Sequence, residues 1–96
     1  MQFDFEWDLS KASGNLTKHG VAFEQASTVF RDPMAISVYD TGHSGNEDRW
    51  LTLGVCSTGA LLVVHHTFAQ IDEDRTTIRI ISSRKATKRE HRQYMG

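Results

Sequence analysis

The sequence predicts an α+β fold: a mostly antiparallel sheet of four to five strands, with two N-terminal helices and one C-terminal helix. Three observations carry this. Helix-capping signals cluster near the two ends of the chain. The stretch between residues 35 and 82 is built of short runs that alternate apolar and polar side chains, as half-buried strands do. The turns joining those runs are too short for parallel crossovers. With 96 residues, a hydrophobic fraction of 39% and a charged fraction of 24%, residues 1–96 are expected to form one globular domain with a modest core.

The elements read as follows. Phe3, Phe5 and Trp7 alternate with Asp4 and Glu6, giving an N-terminal strand. Asp8 is placed to cap a helix running to about Lys18, because its carboxylate accepts free amide hydrogens of the first turn. Apolar spacing puts Leu9, Ala12 and Leu16 on its inner stripe, and Lys11, Asn15 and Lys18 on the outer one. Gly20 supplies a left-handed stop. A second short helix spans about Phe23 to Phe30, with Phe23, Ala26 and Phe30 inward, and Asp32-Pro33 ends it. Strands are expected at Ala35–Tyr39, Arg49–Cys56, Ala60–Phe68 and Thr76–Ser82. Residues 40–46 form a polar loop, Ser57-Thr58-Gly59 a hairpin turn and Asp72-Glu73-Asp74 an acidic turn. The Leu61–Val64 run predicts burial on both faces of its strand. A last helix covers Ala86–Tyr94, or starts nearer Lys88 if Thr87 and Glu90 form a capping box.

Composition excludes several classes. No run approaches the ~20 apolar residues of a membrane span, and the acidic start is unlike a secretory leader. Cys56 is the only cysteine, so an intrachain disulfide is impossible and a reducing compartment fits. No glycine-rich phosphate loop, HExxH or CxxC motif occurs. The net charge of −1 hides an asymmetry: three Lys or Arg face eight Asp or Glu in residues 1–48, and eight face four in residues 49–96. The later excess sits at Arg79, Arg84, Lys85, Lys88, Arg89 and Arg92. Such a cluster serves either a polyanion or simple solubility.

Among individual residues, Arg79 and Arg84 lie next to buried strands, where guanidinium groups can grip phosphate oxygens through paired hydrogen bonds. On the last helix Lys85, Lys88, Arg89 and Arg92 share one stripe, while Ala86, Glu90 and Tyr94 share the opposite, anchoring one. His19 closes the first helix, where it suits either acid–base chemistry or the helix dipole. Glu47 and Arg49 share a strand face, as an ion pair or as a base and a phosphate clamp. His65 and His66 are adjacent on a strand and point to opposite faces, so one shared metal ion is not expected. His43 falls in the loop with no assigned role, and Cys56 reads as packing.

Taken together the residues resemble a known family. The pattern FEWDxxKxxxNxxKHGVxFEQA spans Phe5–Ala26. It is followed by Asp32-Pro33, Glu47-x-Arg49-Trp50, Leu53-Gly54, and Ile78-Arg79-Ile80-Ile81-Ser82-x-Arg84-Lys85-Ala86-Thr87 with Glu90, Arg92 and Tyr94. Order and spacing resemble those of BrnT toxins of bacterial type II toxin–antitoxin systems, nearly end to end. Ser83 and His91 depart from the Ala and Arg common at the family's ending.

The resemblance implies a small cytoplasmic ribonuclease with a RelE/ParE-like fold, to which the N-terminal strand is an added edge. It implies a BrnA-like antitoxin partner and a toxin–antitoxin heterotetramer, with operator DNA bound only by that complex. It also implies growth arrest through RNA cleavage and inhibited translation. No cofactor or metal is expected. The RNA 2′-hydroxyl would attack its own phosphate. Arg79 and Arg84 would clamp that phosphate, Arg49 and Lys18 would assist, and His19 or Glu47 would act as base. Lys85, Lys88, Arg92 and Tyr94 would bind substrate at the rim. Trp50 would stack a base or pack in the core. The alternative is a non-catalytic toxin, or a ParE-like one that acts by binding a protein target.

Overall fold

The computed structural model describes residues 2–96. Its elements are β1 (Gln2–Glu6), α1 (Leu9–His19), α2 (Phe23–Ser27), a 3₁₀ turn (Thr28–Arg31), β2 (Ile36–Tyr39), β3 (Trp50–Val55), β4 (Leu61–Gln70), β5 (Arg75–Lys85) and α3 (Lys88–Met95). The strands form one sheet in the order β1-β5-β4-β3-β2. The strand that is apolar on both faces, β4, takes the middle, where both faces are covered.

The sheet is mixed rather than purely antiparallel. β2, β3, β4 and β5 form the expected antiparallel meander. β1 is an edge strand, but it runs parallel to β5, with Phe5 opposite Ile78 and Glu6 opposite Arg79. The chain between the two contains every other strand, so no short-turn rule constrains their direction. The helical arrangement also differs in detail: the second helix gives way at Thr28 to the 3₁₀ turn. That turn lies close against β3. A Cβ on Gly54 would sit only 2.8 Å from Val29 Cγ1, so glycine is required there.

One face of the sheet carries the larger core. Leu62, Val64, Ile78 and Ile80 meet Val21, Phe23, Ala26, Val29 and Cys56 there, with Phe5, Trp7, Ala12 and Phe30 at the margin. His66 is buried on this face. Its Nε2 pairs with Thr52 Oγ1 at 2.7 Å, and Thr52 in turn with Ser37 Oγ at 2.8 Å. Burial lowers the His66 imidazole to about 4, so it is neutral and structural at physiological pH. On the second face a smaller core, Leu53, Leu61 and Val63, is covered by Ala86 and Tyr94. α3 therefore roofs only one end of that face.

Both predicted helix starts are present. Asp8 Oδ1 accepts from Lys11 N at 3.0 Å, and Thr87 with Glu90 forms the reciprocal capping box, so α3 starts at Lys88. Gly20 closes α1 at φ 69°.

The inner face of α1 is only partly the predicted one: Ala12 packs against the larger core as expected. Leu9 and Leu16 are 81% and 53% exposed, whereas Asn15 is 6% exposed. The reason lies at the edge of β5. β1 pairs with β5 only as far as Arg79, which leaves the outer backbone groups beyond it without a strand. Asn15 fills that gap. Its Oδ1 accepts from Ser83 N at 3.0 Å, and its Nδ2 donates to Ser83 O at 2.9 Å. Nδ2 also donates to Val21 O at 2.9 Å. The side-chain amide acts as one residue of a missing strand, and a buried backbone demands such partners.

Asn15→Leu should therefore destabilise the fold by about 2–4 kcal/mol, because it strands a buried N–H and two carbonyls. Leu16→Ala should cost below about 0.5 kcal/mol. Urea unfolding of the two variants, followed by circular dichroism, separates these outcomes; equal effects would return Leu16 to the core.

Candidate active site

The uncovered end of the second sheet face gathers polar groups from five places. Strand parity explains how. In a regular strand Arg79 and Arg84, five residues apart, point to opposite faces. Here His65 pairs with Ser82 but His66 with Ile80. Ile81 is thus an extra residue in β5, a β-bulge. The bulge reverses the alternation beyond it. Arg79 stands opposite Thr67 and Arg84 opposite Val63, two β4 residues on the same face. Arg49 joins them through the backbone bond from Asp40 N to its carbonyl at 2.8 Å, which aligns it with Leu51 and Leu53.

The loop between β2 and β3 closes one side. Ser44 Oγ donates to Asp40 O at 2.6 Å and accepts from Arg49 N at 2.9 Å, so the loop's neck is tied. Asp40 is buried. Its carboxylate holds His43 Nδ1 at 3.0 Å and accepts from Gly42 N at 3.2 Å. Burial pushes the Asp40 carboxyl up, but His43 and the Gly42 amide outweigh it, and the net shift is downward. A cavity of about 200 Å³ is lined by Asp40, His43, Arg49, His65, Ile81 and Ser82. Burial first, and then the Arg84 charge, lower the His65 imidazole below its ordinary value.

The cations here are paired. Glu47 Oε1 contacts the Arg79 guanidinium directly and Arg49 Nη2 at 3.5 Å. Arg84 makes a two-pronged pair with Glu90, at 2.7 and 3.0 Å. Arg49 Nε is sealed from solvent and has no hydrogen-bond partner among the described residues.

Comparison with known proteins converges on one family. Residues 7–90 match the family model described as the ribonuclease toxin BrnT of type II toxin–antitoxin systems. The chain belongs to the BrnT family. The crystal structure of the Brucella abortus ribonuclease toxin BrnT, at 1.1 Å, is similar in fold. It superimposes with a TM-score of 0.65 at 19% identity, covering 91% of this chain and 100% of that one. No curated protein matches the sequence significantly. The family match begins at Trp7, so β1 lies outside it. Among the described residues no helix is long and apolar enough to cross a membrane.

Of the residues singled out in this BrnT-family sequence, Glu47, Arg49, Arg79 and Arg84 come together on the open face. Lys18 and His19 do not join them. They end α1, which packs along β5, and among the described residues neither side chain makes a hydrogen bond or ion pair. Lys85, Lys88 and Arg92 are exposed, the last two on α3. Tyr94 is committed elsewhere: its hydroxyl donates to Asp32 Oδ2 at 2.6 Å. Asp32 also accepts from Val55 N at 2.8 Å, so Tyr94 anchors α3 to the sheet. Trp50 lies on the opposite face from the arginines, against Tyr39 and Phe68 at 5.4 Å each. It is not available to stack a base beside them. Sequence reasoning passed over Asp40, His43, Ser82 and the site role of His65. The Asp40-x-x-His43 spacing was a signal for the first pair. The position of His65 needed the β4–β5 register.

The Arg84–Glu90 pair has a measurable cost when removed. The Arg84 hydrogen bonds, working against burial and aided by the Thr87 amide, lower the Glu90 carboxyl to about 2. A depressed carboxyl stabilises the fold fully above its ordinary 4.5 and loses that contribution as pH falls through the folded value. Glu90→Gln should destabilise by about 1–2 kcal/mol at pH 7. The gap to wild type should close as pH falls toward 2. Urea melts across that range check it; a constant gap would show that the pair is not the source.

Proposed function

We propose that this chain is the toxin of a type II toxin–antitoxin pair and cleaves RNA without a metal ion, by attack of a 2′-hydroxyl on the adjacent phosphate. The family membership supports the ribonuclease class. The observation that carries the chemistry is the convergence of Arg49, Arg79 and Arg84 on one open sheet face, beside a cavity with an unsatisfied guanidinium N–H.

In this reading Arg79 and Arg49 hold the scissile phosphate and stabilise the charge that builds on it. Glu47 occupies their guanidinium groups until an anion replaces it. Arg84 is a positioning residue: both terminal nitrogens are held by Glu90, so it fixes α3 and lends its charge to the site. Lys88 and Arg92 border the RNA path, which favours polyanions through counterion release; Lys85, the last residue of β5, pairs with Leu62 on the helix face and lies off that path. Lys18 and His19 lie outside the cluster and take no chemical role. Cleavage of cellular RNA would arrest translation in the cytoplasm.

Arg79→Ala and Arg49→Ala should each lower kcat/KM on an oligoribonucleotide by about 10²–10³, in excess EDTA, with the fold intact. Products should carry 2′,3′-cyclic phosphate and 5′-hydroxyl ends. Full cleavage by both variants would refute the site, and cleavage abolished by EDTA would refute the metal-free route.

The partner in this reading is a BrnA-like antitoxin, paired as a heterotetramer that binds operator DNA as a complex. The exposed Lys88, Arg89 and Arg92 stripe fits an acidic antitoxin segment covering the site. The double variant Lys88→Glu, Arg89→Glu should weaken toxin–antitoxin affinity at least tenfold, measured by calorimetry at physiological salt. Unchanged affinity would place the antitoxin elsewhere.

A further inference from the structure

The arginine cluster supplies electrostatics but no proton transfer, and RNA cleavage by a 2′-hydroxyl needs two: one taken from the attacking oxygen, one given to the departing oxygen. Glu47 is an unsuitable base because its carboxylate is the counter-ion of both Arg79 and Arg49. His19 belongs to α1 and has no contact with the cluster. Two other imidazoles do face it.

We propose that His65 and His43 are the general base and general acid of this site, with Asp40 as the residue that positions His43. The inference rests on the ribonuclease reading above and assigns groups that reading leaves open. Three observations carry it. Both rings line the same cavity of about 200 Å³, together with Arg49 and Ser82. His65 stands on β4 opposite Ser82, on the face shared with Arg79 and Arg84, and among the described residues its ring makes no hydrogen bond. His43 is held by one nitrogen only: the buried Asp40 carboxylate takes Nδ1 at 3.0 Å, while the side chain is 69% exposed. That contact fixes the ring and leaves Nε2 facing outward.

The two environments suit opposite tasks. His65 is half buried among cations, which favours the neutral ring a base needs. His43 is exposed and held at Nδ1 by the Asp40 carboxylate, which orients the ring so that Nε2 is free to serve the departing oxygen. An imidazole nitrogen of His65 takes the 2′-O–H proton as the 2′-oxygen bonds to phosphorus. The P–O5′ bond breaks, its electron pair stays on O5′, and His43 Nε2–H protonates that oxygen. The products are a 2′,3′-cyclic phosphate and a 5′-hydroxyl. His65 leaves the step protonated and His43 neutral, and water restores both.

The groups facing the pair are Asp40 from the end of β2, Glu47 from the loop and Arg49 at the start of β3. Arg79 and Arg84 face it from β5, Glu90 from α3 and Glu6 from β1, in register with Arg79. These set where the two limbs of the pH profile fall, so the test reads which limb each variant removes.

The experiment uses the purified full chain in EDTA with a mixed-sequence oligoribonucleotide. A second substrate carries sulfur in place of O5′ at the mapped cut, because a thiolate departs without an acid. His43→Gln should lose about 10²-fold or more in kcat on the oxygen substrate, with KM unchanged, and should recover on the sulfur substrate. It should also lose the alkaline limb of the profile. Asp40→Asn should lose about tenfold on the oxygen substrate and recover likewise. His65→Gln should lose about 10²-fold on both substrates, together with the acidic limb. Thermal melts identify any variant that fails to fold; for such a position the Asn variant replaces Gln. Wild-type cleavage with His43→Gln or His65→Gln at full rate overturns the assignment alone. Equal losses by His43→Gln on both substrates overturn its role as acid. Wild type that folds and binds this RNA but leaves it uncut overturns the ribonuclease reading and the assignment together.

Discussion

One extra residue in β5 decides what the open sheet face contains. Were Ile81 paired in regular register, the alternation of β5 would send Arg84 to the face that carries the helices and the larger core. A guanidinium there would lose hydration without a partner. With Ile81 bulged out, Ser83 turns to the core face and Arg84 joins Arg79. The same step aims Ile81 and Ser82 toward His65 and Arg49. A bulge costs one ladder position and gains a local change of direction. Here that change converts a strand read as uniformly amphipathic into one with a core half and a site half.

The outer edge of β5 imposes a second constraint. β5 continues past the end of β1, so its outer backbone groups need partners that no strand provides. α1 delivers Asn15 for this, and its two bonds to Ser83 hold the far half of β5 against the helix layer. The positions of the bulge and of Asn15 are therefore linked: one sets the direction of Arg84, and the other fixes the backbone beside it. Stability and chemistry are divided between the faces. The helix face holds the neutral, buried His66 with its Thr52 and Ser37 partners. The open face carries the arginines and their carboxylate partners, Glu47 and Glu90.

Much of this was legible in the residues. Capping at Asp8, Gly20 and Thr87 followed from local chemistry that needs no tertiary context. The two-faced burial of Leu61–Val64 and the faces of β3 followed from period-two patterning. The inward turn of Asn15 did not, because periodicity equates apolar with inward, and Leu9 and Leu16 are more apolar than Asn15. Only the unpaired edge of β5, a non-local fact, makes the amide the buried residue. The parallel pairing of β1 was hidden for a similar reason: it joins the first strand to the last. Glu47 and Arg49 were visible as a same-face pair, and Arg79 and Arg84 as basic residues beside buried strands. Their convergence depended on a register shift that no local pattern marks. His43 looked idle because a polar loop with two glycines hides how firmly Ser44 ties its neck.

The acids of the site matter as much as the bases. Three guanidinium groups crowded on one face repel one another, and each would cost stability if left bare. Glu47 and Glu90 remove that cost, but in different ways. Glu47 is reached by both Arg49 and Arg79 from an exposed loop, so a phosphate can take its place by offering the same acceptor geometry with more charge. Glu90 is fixed three times over, by two prongs of Arg84 and by the Thr87 amide, and an incoming anion has little means of displacing it. One carboxylate is thus an exchangeable occupant of the proposed phosphate position, and the other belongs to the scaffold. In the proposed site, this division gives Arg49 and Arg79 to the substrate and Arg84 to the frame. It also means that an acidic side chain from a bound antitoxin could imitate Glu47 and hold the site shut without altering the fold.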